Sequence, residues 1–319
     1  MRPVPGASPG LYLRLVLMAA CWGGQFVAGR VAAPLLPPFT AGALRLATAI
    51  VILLALVRVL EGGLPRPDAR GLALLAALGF TGVFAWNACF FPALERVPAG
   101  RGALIMALNP IGTALGMWLI FRERLSRGRW AGIALALVGA AIVIARGDLP
   151  SLFSGALGTG ELLLFGSVLG WVSYTLIGRG VLGRVSPLAM TTWAALLGGG
   201  MLALAALFER PWAAVADLPA RGWLAITYIG IFGTVLAFLF FSEGVRRIGP
   251  SRTAIFINFV PVFGVAFSAL FLGEPILASM VIGGLMVIGG VLLTTRPSPA
   301  AAPRRVRAQR AGAGMRPGE

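Results

Sequence analysis

The chain has 319 residues, of which 58% are hydrophobic and only 12% charged, with a mean hydropathy of +0.89 and a net charge of +16. Because a soluble domain must present a wettable surface, this composition excludes a soluble fold and indicates a membrane protein. The absence of histidine removes the usual general base, the usual zinc ligand and the histidine-dependent nucleophiles. An enzyme is therefore not expected, and no metal or other cofactor is predicted.

In chain order, the apolar segments predict ten membrane-spanning helices. A hydrocarbon core about 30 Å thick needs roughly 20 apolar residues per helix, and the segments of this length are separated only by short turns rich in Gly, Pro and Arg. The predicted spans are 12–33, 39–60, 70–92, 98–121, 128–145, 158–180, 187–208, 221–243, 251–272 and 277–295. The expected fold class is therefore an all-α integral membrane protein.

The second half of the chain repeats the first. Residues of the first span recur 149 positions later, and residues from the third span onward recur 151 positions later. The matched residues include Trp22 with Trp171, Arg30 with Arg179, Pro110 with Pro261 and Glu123 with Glu274. Each copy, over 12–145 and 158–295, has five spans. Because five is an odd number, the second copy has the opposite orientation in the membrane. Such inverted five-helix repeats are a common build for secondary transporters.

The 27 basic residues are all arginine, and their distribution predicts the topology. Twenty lie in segments on the same side as the N-terminus, including the basic tail 296–319, whereas six lie in turns on the other side and Arg45 lies within a span. This bias predicts cytoplasmic termini. It accounts for the net charge without nucleic acid, which is not an expected partner. The expected partners are the lipid bilayer and a small-molecule substrate, and both a monomer and a homodimer fit the sequence.

Charged groups inside a bilayer are costly and mark functional sites. Arg45 lies about two turns inside the outer end of the second span, and Glu161 lies just inside the outer end of the sixth. We expect the two to lie at one depth and pair as an outer gate, or Arg45 to receive a substrate carboxylate. A structural ion pair and a snorkelling arginine are the alternatives.

Two prolines interrupt the middle of matching spans. Pro110 and Pro261 each remove an intrahelical hydrogen bond and clash with the preceding turn, so a kink is predicted at each. Asn109 and Asn258 lie close by and extend a polar zone at mid-membrane. A hinge is favoured by the duplication, and a kink that serves only packing is the alternative.

Aromatic and uncharged polar side chains in the spans predict a cavity for a small amphipathic cargo. The candidates are Trp22, Gln25, Trp86, Asn87, Trp171, Ser173, Tyr174 and Tyr228. Trp22 and Trp171 are favoured because they occupy matching repeat positions, and an interfacial aromatic belt is the competing interpretation.

Glu123 and Glu274 end matching spans on opposite sides of the membrane. Each is interpreted as half of a gate, or as a carboxylate paired with Arg122, Arg124 or loop amides.

These residues resemble the EamA type of the drug/metabolite transporter superfamily. The similarity rests on the run Cys-Trp-Gly-Gly-Gln-Phe at 21–26, on Arg45 after Pro38, on Gly160-Glu161 at the start of the sixth span, and on the Pro110 to Glu123 and Pro261 to Glu274 blocks. It covers roughly residues 12–295. Arg30 stands where many members of the family have lysine. The resemblance implies a ten-helix carrier of the bacterial inner membrane, usually an exporter of amino acids or other small metabolites, that works by alternating access.

The sequence thus predicts an exporter of small metabolites, with amino acids as the favoured cargo. A carrier of drugs or toxic compounds, or of nucleobases or sugars, has the same fold and is the first alternative. A non-transporting membrane protein is the second. Because no acidic residue lies at the predicted midplane, cargo is expected to run down its own gradient without proton coupling.

Overall fold

The computed structural model describes residues 8–150, 157–181 and 185–295, apart from the side chains of residues 250 and 251. Within this part of the chain the secondary structure is entirely helical, and ten helical stretches are long and apolar enough to cross a membrane. The predicted fold class is therefore confirmed. The basic tail 296–319 lies outside the described residues.

The described residues contain fifteen α-helices and two π-helical segments. They are α1 (Pro9–Ala32), α2 (Pro38–Glu61), α3 (Ala69–Leu78), π1 (Gly79–Ala85), α4 (Trp86–Arg96), α5 (Ala99–Met106), α6 (Asn109–Phe121), α7 (Arg127–Ile144), α8 (Thr159–Val181), α9 (Pro187–Phe208), α10 (Pro211–Ala216), α11 (Ala220–Tyr228), π2 (Ile229–Leu236), α12 (Ala237–Ile248), α13 (Pro250–Ile257), α14 (Val260–Leu272) and α15 (Ala278–Thr295). All of them except α10, which lies between the seventh and eighth spans, build the ten spans.

The third and eighth spans are each divided by a π-helical segment, and the fourth and ninth are each interrupted in the middle. α5 ends at Met106 and α6 begins at Asn109, while α13 ends at Ile257 and α14 begins at Val260. The interruptions predicted from Pro110 and Pro261 are thus present, because each proline occupies the first turn of a new helix. Their role as hinges stays a prediction.

The spans run alternately between two ends of the molecule. We call the end at which α1 begins the proximal end and the opposite one the distal end. At the distal end, Glu209 after α9 accepts hydrogen bonds from the backbone amides of Phe39 and Thr40 at the start of α2, at 3.0 and 2.8 Å. At the proximal end, Ser186 Oγ before α9 donates to Glu61 after α2, at 2.7 Å. α2 and α9 are therefore joined at both ends.

Glycine contacts join the two repeats closely at α7 and α15. A Cβ added at Gly139 would lie 2.5 Å from the carbonyl oxygen of Gly283, and one added at Gly132 would lie 2.6 Å from that of Gly290. Membrane helices associate through such small residues, since lipid provides no hydrophobic drive between them. Gly132 corresponds to Gly283 and Gly139 to Gly290 in the repeat, so the exchange of the two repeats converts one contact into the other.

Candidate functional site

Arg45 forms the centre of a buried polar cluster between the repeats. The residue lies on α2 and is 8% exposed. Its Nη1 donates to Asn87 Oδ1 at 3.0 Å, and its Nε and Nη2 donate to Thr234 Oγ1 at 3.2 and 3.1 Å. The guanidinium carbon lies 4.9 Å from the centroid of the Trp86 ring, within cation–π range.

The π-helical segments position the two neutral partners of Arg45. Thr234 lies in π2 and its hydroxyl donates to the carbonyl of Ile229, five residues earlier, at 2.9 Å. Asn87 follows π1 directly, and its Nδ2 donates to the Val83 carbonyl at 2.7 Å. With their donors used in this way, both side chains present an acceptor oxygen to Arg45. π-helical turns are rare and occur often at functional sites.

The charge on Arg45 has no protein counter-ion in the described residues. A guanidinium stays protonated in proteins, yet all three of its hydrogen bonds go to neutral oxygens. No ion pair among the described residues includes it. Trp86 Nε1 is a second donor, buried and without a hydrogen-bond partner in the same part of the chain. Since a buried charge is costly unless paired, the site has the electrostatics of an anion receptor.

Glu161 does not pair with Arg45, so that prediction is wrong. Its Oε1 accepts from Arg101 Nη1 at 2.9 Å, and the two side chains are 8% and 7% exposed. Its Oε2 accepts from the Gly158 amide at 3.2 Å. The reason is lateral placement, because α8 packs against α4, α5 and α6, whereas α2 packs chiefly against α9, π2 and α4. Depth along the chain does not reveal which helices are neighbours.

On α1, Trp22 and Gln25 both lie beside π2. Trp22 Nε1 donates to the Gly233 carbonyl at 3.0 Å, and a Cβ added at Gly233 would lie 3.2 Å from Gln25 Oε1. Gln25 is buried. Both residues are therefore next to Thr234 and to the Arg45 cluster.

Trp171 and Tyr174 on α8 form the equivalent pair beside π1. Their rings stack with centroids 5.5 Å apart, and the Tyr174 ring packs against Gly82 of π1. The Trp22 and Gln25 pair and the Trp171 and Tyr174 pair thus occupy matching repeat positions. Among the described residues, no ring contact or hydrogen bond joins the Trp22 pair to the Trp171 pair. A single cavity lined by both stays a prediction.

The asparagines at the helix interruptions differ in their surroundings. Asn109 Oδ1 is buried and has no hydrogen-bond partner within the described ranges, whereas Asn258 Nδ2 donates to the nearby Ile255 carbonyl at 3.1 Å. Neither residue bonds to the Arg45 cluster in the part of the chain described. Their assignment to substrate binding therefore also stays a prediction.

Glu274 and Glu123 have different partners in spite of their matching positions. Glu274 accepts from the backbone amides of Ala99 and Gly100 at 3.0 and 3.2 Å, and these amides belong to the start of α5 and not to a loop. Glu123 accepts from Arg179 Nη1 at 2.9 Å. The predicted partners Arg122 and Arg124 are wrong, since the nearby α8 brings a tertiary partner.

Two residues of these clusters were missing from the predicted site, whereas Trp86 was among the predicted cavity residues. Thr234 gave no signal inside an apolar run, although the recurrence of Gly79 and Gly82 at Gly230 and Gly233 marked its segment. Arg101 was visible only as an arginine in a turn. Their importance depends on contacts between helices distant in sequence.

The fold and this site define a multi-pass membrane protein built from inverted repeats, and comparison with known proteins identifies the family. The sequence profile of the EamA-like transporter family matches residues 10–145 and 158–296, so the chain belongs to this family.

Three relatives are similar over nearly the whole chain. The uncharacterized transporter YyaM of Bacillus subtilis (strain 168) is 29% identical, over 88% of this chain and 92% of the relative. A probable terminal-alkyne amino-acid exporter of Streptantibioticus cattleyicolor is 26% identical, over 88% and 92%. A probable amino-acid metabolite efflux pump of Salmonella typhimurium is 25% identical, over 87% and 92%. The chain is thus a member of a transporter family with exporters among its relatives.

Proposed function

We propose that this protein is a secondary transporter that exports small carboxylate-bearing metabolites, above all amino acids, across the bacterial inner membrane by alternating access. The observation that carries the proposal is the buried guanidinium of Arg45, held between the two repeats by neutral groups alone. The two relatives described as probable exporters of amino acids or their metabolites support the same cargo class.

The site chemistry favours a carboxylate over the other cargo classes. Each terminal nitrogen of Arg45 has a second N–H beyond the bonds to Asn87 and Thr234, and Trp86 Nε1 is a further donor without a partner in the described residues. A carboxylate would satisfy these donors and compensate the charge, with a net gain of about 1.5–3 kcal/mol for each charged hydrogen bond. A cationic cargo would be repelled, and a neutral one would leave the charge uncompensated.

The side chains beside the Arg45 cluster suit the part of a small amphipathic cargo that lies beyond its carboxylate. Gln25 and Trp22 lie against Gly233, the residue that precedes Thr234 in π2. We assign substrate binding to this side of the cluster and keep Trp171, Tyr174, Asn109 and Asn258 as candidates for the opposite side. The cytoplasmic position of both termini, proposed from the arginine distribution, makes the proximal end cytoplasmic.

The functional units that follow from this proposal are the two repeats themselves. Residues 12–145 and 158–295 would move against each other around the site, as transporters with inverted repeats do. Translocation of this kind requires no covalent chemistry and no cofactor.

A paired-ligand screen tests the cargo class. Purified protein is heated with an amino acid, with its amide and with the corresponding amine, and the best ligand is then measured in counterflow across proteoliposomes. We expect the free acid alone to stabilise the protein, by about 2.7 kcal/mol at a concentration of 100 Kd, and labelled acid to exchange across the membrane. Stabilisation by the amine in preference to the acid, or no exchange of any carboxylate, would reject the proposal.

Two variants of α2 control this screen. Arg45→Met should lose the preference for the free acid, because the guanidinium is replaced by an apolar side chain. Arg58→Met removes an exposed arginine from the same helix, which bonds only to the Gly62 carbonyl, and should retain the preference.

A further inference from the structure

Glu123 and Glu274 follow the same local turn in the two repeats. Each comes after a residue with left-handed backbone, Arg122 with φ 55° and Gly273 with φ 66°. The amide of each glutamate donates to the carbonyl six residues earlier, at 3.3 Å in both cases. Because the backbone is equivalent, the different partners of the two carboxylates reflect a difference in tertiary structure.

The helices that carry the two glutamates also pack equivalently on their nearest neighbours. In the α1 and α14 pair, a Cβ added at Gly23 would lie 2.6 Å from Phe263 Cβ. In the α8 and α6 pair, one added at Gly112 would lie 2.7 Å from Val172 Cγ2. Gly23 corresponds to Val172 in the repeat, and Gly112 corresponds to Phe263. Each pair is therefore the same unit in the same register.

The difference lies in α5 and its repeat equivalent α13. All eight residues of α5 are buried, and α5 is held against α14, since a Cβ added at Gly100 would lie 2.6 Å from Ser268 Oγ. In α13, by contrast, Thr253 is the one buried side chain among those described, and Arg252 and Ile255 are exposed. The distal half of the fourth span is thus enclosed, whereas the proximal half of the ninth is open.

Arg30 and Arg179, which occupy matching repeat positions, also have different partners. Arg179, at the proximal end, binds Glu123, and their side chains are 55% and 42% exposed. Arg30, at the distal end, donates instead to the Leu94 carbonyl at 2.5 Å. Glu274 is therefore free of its matched arginine and occupies the start of α5. At the proximal end, Glu123 is engaged by its matched arginine.

The α2 and α9 pair shows that this asymmetry is local. Glu209 binds the start of α2 at the distal end, and Glu61 binds Ser186 at the start of α9 at the proximal end. Contacts between α2 and α9 are thus formed at both ends of the molecule. This pair lacks the asymmetry that is seen at α5 and α13.

From these contacts we propose that Glu274 and Glu123 are reciprocal locks, of which the distal one is closed and the proximal one open in this structure. In the second state, Glu123 leaves Arg179 and accepts hydrogen bonds from first-turn amides of α13 that follow Pro250, which has no N–H of its own. Glu274 meanwhile leaves α5 and pairs with Arg30. A carboxylate is favoured at a helix start by the free amides and the helix dipole, so both states keep each glutamate paired. The inference rests on the transport function proposed above.

The interruptions in the fourth and ninth spans give each lock room to act. Ala107 and Leu108 separate α5 from α6, and Asn258 and Phe259 separate α13 from α14. Since each lock holds only one half of a span, α5 can move away from α14 without displacing α6. Likewise, α13 can move at the proximal end without displacing α14.

Thiol labelling on the two faces of sealed vesicles tests the exchange. In a Cys21→Ser, Cys89→Ala background, Ser268→Cys reports on the distal contact, where the residue is 1% exposed, and Thr113→Cys reports on the proximal half of the fourth span. A membrane-impermeant maleimide is applied to each face. The wild-type locks should give slow labelling of the Ser268→Cys thiol and fast labelling of the Thr113→Cys thiol.

The two lock variants should shift labelling in opposite directions. We expect Glu274→Gln to speed Ser268→Cys labelling and slow Thr113→Cys labelling, changing the ratio of the two rates by roughly tenfold. The variant loses two charged hydrogen bonds to the start of α5 in this state and only an ion pair with Arg30 in the other. Glu123→Gln should change the ratio in the opposite direction. Arg179→Gln, which frees Glu123 to close the proximal lock, should act like Glu274→Gln and gives a second route if that variant does not fold.

Glu209→Gln is the matched control, since it also removes a carboxylate from a distal helix start but should leave the labelling ratio unchanged. Unchanged ratios in Glu274→Gln and Arg179→Gln, or parallel changes of both reporters, would overturn the exchange. The same variants are assayed for flux of the preferred acid in proteoliposomes. Reciprocal labelling without flux would sustain the locks and reject the transport function, whereas wild-type flux without reciprocal labelling would reject the locks alone.

Discussion

The buried ion pair between Arg101 and Glu161 makes a quantitative prediction, because the protein contains a matched exposed pair. Both pairs join Arg Nη1 to Glu Oε1 at 2.9 Å. The Arg101 and Glu161 side chains are 7% and 8% exposed, whereas those of Arg179 and Glu123 are 55% and 42% exposed. Burial is therefore the main variable between them.

Glu161→Gln leaves the Arg101 charge buried without its partner, which costs about 3–5 kcal/mol in known cases. Glu123→Gln breaks a solvent-exposed pair, for which the loss is about 0–1 kcal/mol. We therefore expect Glu161→Gln to lower the free energy of unfolding by at least about 2 kcal/mol more than Glu123→Gln, from the difference between these ranges.

Unfolding in mixed micelles titrated with a denaturing detergent measures both variants under one condition. The double variant Arg101→Met, Glu161→Gln should recover most of the loss, because no uncompensated charge is left. Equal destabilisation by Glu161→Gln and Glu123→Gln, or no recovery in the double variant, would refute the reasoning from burial.

Three further predictions follow from the packing and the charges. Thr234→Val should destabilise the protein by about 1–3 kcal/mol, since two donors of Arg45 lose their acceptor. Thr48→Val is the control, because the Thr48 hydroxyl bonds to carbonyls of its own helix, and it should cost less in the same unfolding assay. Gly139→Leu should prevent folding, because the added side chain would overlap the backbone of Gly283 in α15. Gly200→Leu should fold, since no atom lies within 4 Å of a Cβ added there. Monodispersity on size-exclusion chromatography distinguishes the two variants. Flux of the preferred acid should persist in proteoliposomes without a pH gradient, and strict dependence of net flux on an imposed proton gradient would contradict the predicted lack of coupling.

Much of the fold follows from the sequence because it depends on local composition and on the repeat. Apolar length fixes the spans, and proline at 110 and 261 fixes the two interruptions. π1 and π2 were not predictable, since no residue type marks a π-helical turn and their glycines also fit ordinary helix packing.

The site was predictable in part, for a related reason. Arg45 was found because a charge within an apolar segment is conspicuous. Its neighbour Asn87 was found because a side-chain amide is also conspicuous in such a segment. The pairing of Arg45 with Glu161 was wrong because sequence gives depth along a span and not the order of helices around the molecule. Thr234 and Arg101 became visible only when the neighbouring helices were known.

The central claim is that Arg45 receives the carboxylate of the transported molecule. The most direct measurement is counterflow of one labelled amino acid in proteoliposomes containing wild type, Arg45→Lys or Arg45→Met, with the amide of the same amino acid as competitor. We predict that Arg45→Met loses flux of the acid and that Arg45→Lys retains a reduced part of it, since an ammonium keeps the charge but not the fork of donors. The amide should compete poorly in wild type. Undiminished flux in a folded Arg45→Met protein, or equal competition by the amide, would contradict the account.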